Sequence, residues 1–159
     1  MKVKQLIDED FINYKEPSMF IASPSCTFKC EAESNVRCCQ NSALALCDTI
    51  EVSSDKIIKR YLSNQLTSAI VFGGLEPLDS IDDLCEFLKL LRVKYACDDT
   101  VVIYTGYNKQ EALEKIDRIK GFGNIICKFG RFLPNEEKKY DDVLGVNLAS
   151  QNQYAERIG

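Results

Sequence analysis

Short apolar runs alternate with amphipathic segments along most of the chain, and this alternation limits the possible folds more than any other feature. Four runs have the composition and length of buried strands, at residues 19–22, 69–72, 100–104 and 124–129. Helical patterns lie between them, with apolar residues spaced three and four apart. Strands that alternate with helices through short connections pair in parallel, so the sequence predicts an α/β fold with mostly parallel strands and right-handed crossovers.

Capping residues mark where the three predicted helices begin. Ser54 is a predicted N-cap for the first helix. Ser80 with Asp83, and Asn108 with Glu111, have the spacing of capping boxes for the second and third helices.

The chain is 159 residues long, which predicts a single domain, residues 1–159, with one core. Residues 1–17 are mainly polar and predict a short helix or an irregular lead-in. From Gly130 the chain is more polar, and Pro134 with the charged segment Asn135–Lys139 predicts a loop. Four βα units are too few for a closed eight-stranded barrel. The sheet is therefore predicted to be either open and doubly wound or an incomplete TIM-type βα barrel.

Three unusual segments follow the first three predicted strands. They are a cysteine-rich loop at residues 25–41, the Gly73–Pro77 turn, and Thr105–Tyr107. Because the carboxyl ends of parallel strands meet at one edge of a sheet, we expect all three segments to converge on one rim, where ligands bind in such folds.

The cysteine-rich loop contains four of the eight cysteines of the chain. Cys26 and Cys30 are close enough for one turn to present two thiolates to one metal centre, and Cys38 or Cys39 can supply a third. Three cysteines on a 4Fe–4S cluster leave one iron open for catalysis. Thiolates also suit a structural zinc ion, which could use Cys47 as well, and reduced thiols without metal are a third interpretation. The remaining cysteines are interpreted as core or incidental residues: Cys85, Cys97 and Cys127.

Composition excludes several other classes of function. The chain has no histidine, which removes Ser-His and Cys-His catalysis and histidine-ligated zinc. A net charge of −4 argues against nucleic acid as a partner. No run of apolar residues is long enough to cross a membrane, and the acidic start does not resemble a secretory signal. We therefore expect a cytoplasmic protein whose cysteines are metal ligands or buried thiols rather than disulfides.

The Gly73-Gly74-Leu75-Glu76-Pro77 segment has two interpretations. Paired glycines after a strand often mark only a tight turn. Glycine also lets the backbone approach a ligand closely, and Glu76 could then meet a cationic group such as an amino acid's ammonium.

Taken together, the Cys-x3-Cys loop after the first strand and the Gly-Gly-x-Glu-Pro segment after the second resemble the radical S-adenosylmethionine (radical SAM) enzymes. Further elements are similar to those of the activating proteins of anaerobic ribonucleotide reductase, and they occur in the same order over nearly the whole chain. These elements are Asn13-Tyr14, Cys39-Gln40-Asn41, Ile103–Tyr107, Gly130-Arg131-Phe132 and Ala149–Gln153.

The resemblance implies an incomplete barrel and a 4Fe–4S cluster whose open iron binds the amino and carboxylate groups of SAM. It implies cluster ligation by Cys26, Cys30 and Cys39, with Cys38 as the alternative third ligand. SAM would be seated by Gly73, Gly74, Glu76 and Thr105.

The resemblance also implies the partners. The product radical would take a hydrogen atom from a backbone glycine of a glycyl-radical enzyme, the large subunit of anaerobic ribonucleotide reductase. An electron donor such as flavodoxin or ferredoxin would reduce the cluster. Radical chemistry on a peptide or small molecule is the alternative enzymatic interpretation, and a zinc- or cluster-binding interaction module is the non-enzymatic one.

Three positions depart from the pattern of these relatives. The spacing Cys-x3-Cys-x8-Cys replaces the usual Cys-x3-Cys-x2-Cys, and it removes the aromatic residue that normally precedes the third cysteine. Leu75 is inserted into the usual Gly-Gly-Glu-Pro. Lys128-Phe129-Gly130 stands where an Asp-Gly pair is common. These differences predict a divergent subgroup.

Overall fold

A computed structural model describes residues 1–159 without a gap. Ten strands and five α-helices make up the fold. The strands are β1 (Lys2–Val3), β2 (Gln5–Asp10), β3 (Ser18–Ala22), β4 (Ile50–Glu51), β5 (Ala69–Gly73), β6 (Thr100–Tyr104), β7 (Ile125–Phe129), β8 (Lys139–Asp141), β9 (Val146–Leu148) and β10 (Tyr154–Arg157). The helices are α1 (Lys29–Ser34), α2 (Ser42–Leu46), α3 (Ser54–Ser63), α4 (Ile81–Lys89) and α5 (Lys109–Ile119).

Six of the strands form the central sheet, in the order β10-β7-β6-β5-β3-β2. The inner four, β3, β5, β6 and β7, pair in parallel, as the alternation of strands and helices predicts. The two edge strands pair antiparallel to their neighbours. The sheet is open, with β2 and β10 at its two edges, and no barrel closes. The fold is therefore a mixed α/β sheet. The expectation of parallel strands is confirmed for the four inner strands, whereas the expectation of an incomplete TIM-type barrel is not confirmed.

Alternate residues of the inner strands supply two separate cores. On one face, residues such as Ile70, Phe72 and Ile103 pack against α3, α4 and α5 in a cluster of 23 buried residues. On the other face, Val71 and Val102 join a smaller cluster of 8 buried residues that includes Leu144 and Leu148 of the C-terminal segment. Helices thus cover one face of the sheet, whereas the opposite face is only partly covered.

The helix starts agree with the sequence in part. Asn108 and Glu111 form both hydrogen bonds of the predicted capping box, at 2.9 and 3.0 Å. The cap of α3 is Ser53 rather than Ser54, because it is the Ser53 hydroxyl that accepts the N–H of Lys56. Ser80 occupies the N-cap of α4 without a side-chain bond, since a 3₁₀ turn at Pro77–Ser80 runs directly into that helix.

Both ends of the chain are more regular than the sequence predicted. The lead-in contains β1 and β2 instead of a short helix. The loop predicted at residues 135–139 is present up to residue 138, and it is followed by β8, β9 and β10, which were not predicted. Short polar strands at the edge of a sheet have one solvated side and lack the apolar run that identifies inner strands. No helix of the structure combines the length and apolar character needed to cross a membrane.

Candidate functional site

One cavity of about 460 Å³ opens at the carboxyl ends of the inner strands. Its wall includes six of the seven residues predicted from sequence as cluster or SAM ligands. These are Cys26, Cys30, Cys39, Gly74, Glu76 and Thr105. The seventh, Gly73, is the last residue of β5 and lies behind the wall, where an added Cβ would be 3.0 Å from the Phe20 ring.

Backbone hydrogen bonds dock the first half of the cysteine-rich loop onto the loop after β5. The carbonyl of Ser25 accepts the N–H of Glu76 at 2.9 Å, and the Asp79 carboxylate accepts the N–H of Thr27 at 3.2 Å. Phe28 then adopts a left-handed conformation (φ 52°) and donates its N–H to the Cys26 sulfur at 3.2 Å. A bulky residue rarely takes this conformation, so the turn that precedes α1 is held by its surroundings.

In the second half of the loop, only one of the two adjacent cysteines, Cys38 and Cys39, lines the cavity. The Glu31 carboxylate accepts the N–H of Cys39 at 3.1 Å, and the Cys39 side chain reaches the cavity. The Cys38 sulfur instead lies 3.3 Å from the Ser34 hydroxyl and does not line the cavity. Of the two candidates for a third ligand, Cys39 is therefore the one that shares a wall with Cys26 and Cys30.

The surroundings of the Cys26 and Cys30 thiols favour their protonated form in the absence of a metal. Burial raises the pKa of Cys26 to about 11, against the lowering effect of the Phe28 N–H. Burial and then the neighbouring thiols of Cys39 and Cys38 raise the pKa of Cys30. Metal binding must displace these protons. No group of three or more Cys, Asp or Glu side chains is close enough in this structure to hold a metal ion.

The Gly-Gly-Leu-Glu-Pro segment turns sharply at its second glycine. Gly74 has φ +74°, and an added Cβ would lie 2.6 Å from the Leu44 side chain. The turn therefore requires glycine for its conformation and for the close approach of α2. The inserted Leu75 is buried and also lines the cavity.

Glu76 is held at the rim by backbone donors from two loops. Its carboxylate accepts the N–H of Leu78 at 3.1 Å and the N–H of Gly106 at 2.8 Å. Only 5% of the residue is exposed. Burial raises the pKa of Glu76 to about 7, although the bonds from Gly106, Thr105 and Leu78 favour the carboxylate. The group is thus oriented, faces the cavity, and titrates near neutral pH.

Three basic residues line the cavity, and none of them was identified from sequence as a ligand contact: Lys29, Lys128 and Arg131. Lys128 is the last residue but one of β7, and Arg131 lies two residues after the end of that strand. The guanidinium of Arg131 makes paired bonds to the Glu111 carboxylate at 2.8 and 2.7 Å and lies 3.3 Å from Glu33 of α1. Two sequence signals pointed to this region: Lys128-Phe129-Gly130 departs from the pattern of the relatives, and Gly130-Arg131-Phe132 resembles one of their elements.

The Ala149–Gln153 segment, which resembles an element of the relatives, binds the backbone that follows β7. The Gln153 amide donates to the carbonyl of Gly130 at 3.2 Å, and the Asn152 amide donates to the carbonyl of Arg131 at 2.9 Å. These bonds place the side chains of Lys128 and Arg131 in the wall.

The cavity wall also has apolar members on the partly covered face of the sheet. They are Ile12, Phe20, Tyr104, Val146 and Leu148, and Tyr104 pairs across the sheet with Lys128. The Tyr104 hydroxyl donates to the carbonyl of Asn13 at 2.5 Å and so ties the lead-in to β6.

Comparison with known proteins adds one finding. A family model described as a 4Fe–4S single cluster domain matches residues 18–153, which is most of the chain and includes all the residues that were predicted as ligands. No curated protein and no solved structure matches the chain.

Proposed function

The chain belongs to the 4Fe–4S single cluster domain family, and on that premise we propose that it is a radical SAM enzyme that activates a glycyl-radical enzyme. The observation that carries this proposal is that the thiol-bearing wall and the Gly74–Glu76 turn line the same cavity. A cluster alone would need only the cysteines. The Glu76 carboxylate lines the same cavity and is oriented by the backbone N–H groups of Leu78 and Gly106, so it can bind the amino group of a ligand.

In this proposal Cys26, Cys30 and Cys39 hold the 4Fe–4S cluster, and their number leaves one iron open. A reduced cluster supplies the electron that cleaves SAM to methionine and a 5′-deoxyadenosyl radical. Flavodoxin or ferredoxin is the class of protein that would deliver that electron.

The chain's own residues bind and orient SAM. The Glu76 carboxylate accepts a hydrogen bond from the amino group, and the Gly74 turn lets the backbone approach it closely. Gly73 supports that turn from behind, since its carbonyl accepts the N–H of Ser23 at 3.0 Å. Thr105 contributes its hydroxyl next to Glu76.

The partly covered face of the sheet favours a macromolecular substrate. An open sheet has too little wall to enclose a small substrate, whereas a loop of another protein brings its own shielding from water. We propose that this loop carries the glycine of an anaerobic ribonucleotide reductase large subunit, from which the radical abstracts a hydrogen atom.

Anaerobic reconstitution with iron and sulfide tests the proposal. We expect a brown protein with about four irons per chain that cleaves SAM to 5′-deoxyadenosine when reduced, and that generates a glycyl radical in the reductase subunit, detected by electron paramagnetic resonance. A colourless protein that retains one tightly bound zinc would overturn the enzymatic proposal. SAM cleavage without a radical in the reductase would point to a peptide or small-molecule substrate.

Two serine variants test the third ligand. Cys39→Ser is expected to abolish the cluster, because Cys39 shares the cavity wall with the other two ligands. Cys38→Ser is the matched control and is expected to keep it. Loss of the cluster in Cys38→Ser alone would show that Cys38 is the ligand instead.

A further inference from the structure

One face of the short helix α1 contacts both of the adjacent cysteines, Cys38 and Cys39. The Glu31 carboxylate accepts the N–H of Cys39 at 3.1 Å, although the two residues are eight positions apart in the chain. The Ser34 hydroxyl lies 3.3 Å from the Cys38 sulfur. Residues three apart on a helix are neighbours on its surface, so the two contacts belong to one face of α1.

The two contacts use different atoms of the cysteines. Glu31 binds the backbone N–H of Cys39, which leaves the sulfur of that residue free to reach a metal. At Cys38 the sulfur itself is engaged. The Ser34 hydroxyl has one proton, which the Cys30 carbonyl accepts at 2.7 Å, so the Ser34 oxygen is left to accept the S–H of Cys38. The helix therefore occupies one thiol and leaves the other available.

The length of the segment between Cys30 and Cys39 makes such a contact necessary. Eight residues separate these cysteines, where the relatives have two between the second and third ligands. A longer loop has more conformations, so the position of its end must be fixed by contacts. Asn35, with φ 52°, ends α1, and the chain then returns to the side of that helix, where Cys39 meets Glu31.

Apolar packing does not fix this segment. No residue of α1 is buried, and Val36 is 55% exposed. Among the hydrogen bonds of residues 36–39, the one to Glu31 has a charged acceptor, and such bonds are stronger than those between neutral groups. The placement of Cys39 at the cavity thus depends on a polar contact from α1.

We propose that Glu31 selects Cys39 rather than Cys38 as the third ligand of the cluster. This inference rests on the proposed function, because that function supplies the cluster. Glu31 is a positioning residue that acts through the backbone of Cys39. No three cysteines are close enough in this structure to hold a metal ion, so their side chains must turn when the cluster is loaded. A bond to the backbone N–H persists through such a turn.

Differential alkylation identifies the ligand without a measurement of activity. The reconstituted protein is treated anaerobically with iodoacetamide, and mass spectrometry gives the labelled fractions of Cys38 and Cys39. A thiolate bound to iron is protected from the reagent and reacts once a chelator has removed the iron. Each labelled fraction is therefore divided by that of the iron-free form of the same variant.

Three variants separate selection of the ligand from general support of α1. Glu31→Met removes the acceptor, whereas Glu31→Gln keeps an oxygen that can accept the N–H of Cys39. Glu33→Met is the matched control, because it breaks the pair of α1 with Arg131, at 3.3 Å, and leaves the bond to Cys39 intact.

In the wild type we expect Cys38 to be labelled and Cys39 to be protected. The ratio of Cys38 labelling to Cys39 labelling is expected to fall by about tenfold or more in Glu31→Met, as for loss of a hydrogen bond to a charged group. Glu31→Gln and Glu33→Met are expected to lower it by less than about threefold, because both keep an acceptor for the N–H of Cys39.

Several results would overturn the inference. They are a ratio that does not change in Glu31→Met, equal falls in Glu31→Met and Glu33→Met, or protection of Cys38 in the wild type. Loss of iron from Glu31→Met would also overturn it, because Cys38 would then be no competitor of Cys39.

The two proposals fail in different ways. If the wild type takes up no iron, the proposed function and this inference fail together. If the loaded wild type shows the expected labelling but does not cleave SAM, only the proposed function is overturned. If it cleaves SAM and the labelling ratio does not depend on Glu31, only the role of Glu31 is overturned.

Discussion

At the scale of single residues, the site is built from charges that burial makes costly. Glu76 illustrates this, because a raised pKa in the folded protein means that the fold prefers the neutral acid. The folded protein holds this proton up to about pH 7, whereas the unfolded chain releases it near pH 4.5. The unfolding free energy should therefore fall as the pH rises between these values, by roughly 3 kcal/mol for this group alone.

Glu76→Gln removes that titration and keeps the size of the side chain. In metal-free protein, the stability difference between Glu76→Gln and the wild type should shift in favour of the variant as the pH rises from about 4.5 to 7. Urea unfolding at several pH values measures it. A difference that is constant with pH would contradict the burial of an ionising Glu76. In loaded protein the same variant should weaken SAM binding.

Lys128 leads to a prediction about stability with the opposite dependence on pH. Its pKa is lowered to about 8 from 10.5, so the charged form destabilises the fold below pH 8 and this cost disappears as the pH rises toward 10.5. Lys128→Met should be more stable than the wild type at pH 7 by about 1–2 kcal/mol, after allowing for the lost hydrogen bond from Nζ to the carbonyl of Gly130. Thermal unfolding measures this. A less stable variant would assign Lys128 a structural role.

Sequence reasoning reached some residues of the site and not others, for physical reasons. The capping box of Asn108 and Glu111 is local, and it was predicted correctly because all its atoms lie within four residues. Glu76 lies three residues after the end of β5, so its position at the rim could be predicted from topology. The surroundings of Lys128 include β10 and β9, and those strands have no apolar run from which they could be predicted.

At the scale of elements, the cysteine-rich loop is attached to the fold by polar contacts. Neither α1 nor α2 contains a buried residue. α1 is bracketed by two residues in the left-handed conformation, Phe28 and Asn35. Such an element has little apolar burial to stabilise it, so we expect it to open locally and to be ordered by metal binding.

An ion pair between Arg131 and Glu33 connects α1 to the segment that follows β7. Its removal in Arg131→Met should release Glu33, speed hydrogen exchange of residues 29–34, and accelerate loss of iron to a chelator by about two- to fivefold. Arg118→Met is the matched control, because its pair with Asp82 is exposed and distant from the loop. Equal rates of iron loss in both variants would mean that α1 is held by other contacts.

The sequence predicted inner elements better than edge elements. β6 begins and ends at the predicted residues, since Thr100–Tyr104 is an apolar run bounded by a turn. β2 was not predicted, because its second half, Asp8–Asp10, has no apolar residue and only pairing with β3 makes it a strand. The sheet therefore proved open and mixed at its edges, where the sequence pattern is weakest.

At the scale of the whole molecule, the open sheet leaves a cavity whose wall combines thiols and charged groups with apolar side chains. Ile12 of the lead-in is part of this wall and is 76% exposed, and its neighbour in the chain, Phe11, is 63% exposed. Exposed apolar side chains at the mouth of a cavity are typical of a surface that contacts another protein.

If the substrate is a loop of another protein, a change at this mouth should separate SAM cleavage from activation. Ile12→Asp places a charge at the apolar mouth and leaves the cysteines and Glu76 unchanged. We expect normal cleavage of SAM and a several-fold smaller yield of glycyl radical in the reductase subunit, because burying the new carboxylate in the contact is costly. Val93→Asp is the control, since Val93 is 74% exposed and outside the cavity. Loss of SAM cleavage in Ile12→Asp would mean that this part of the cavity binds SAM itself. Full activation by this variant would mean that the substrate enters elsewhere on the molecule.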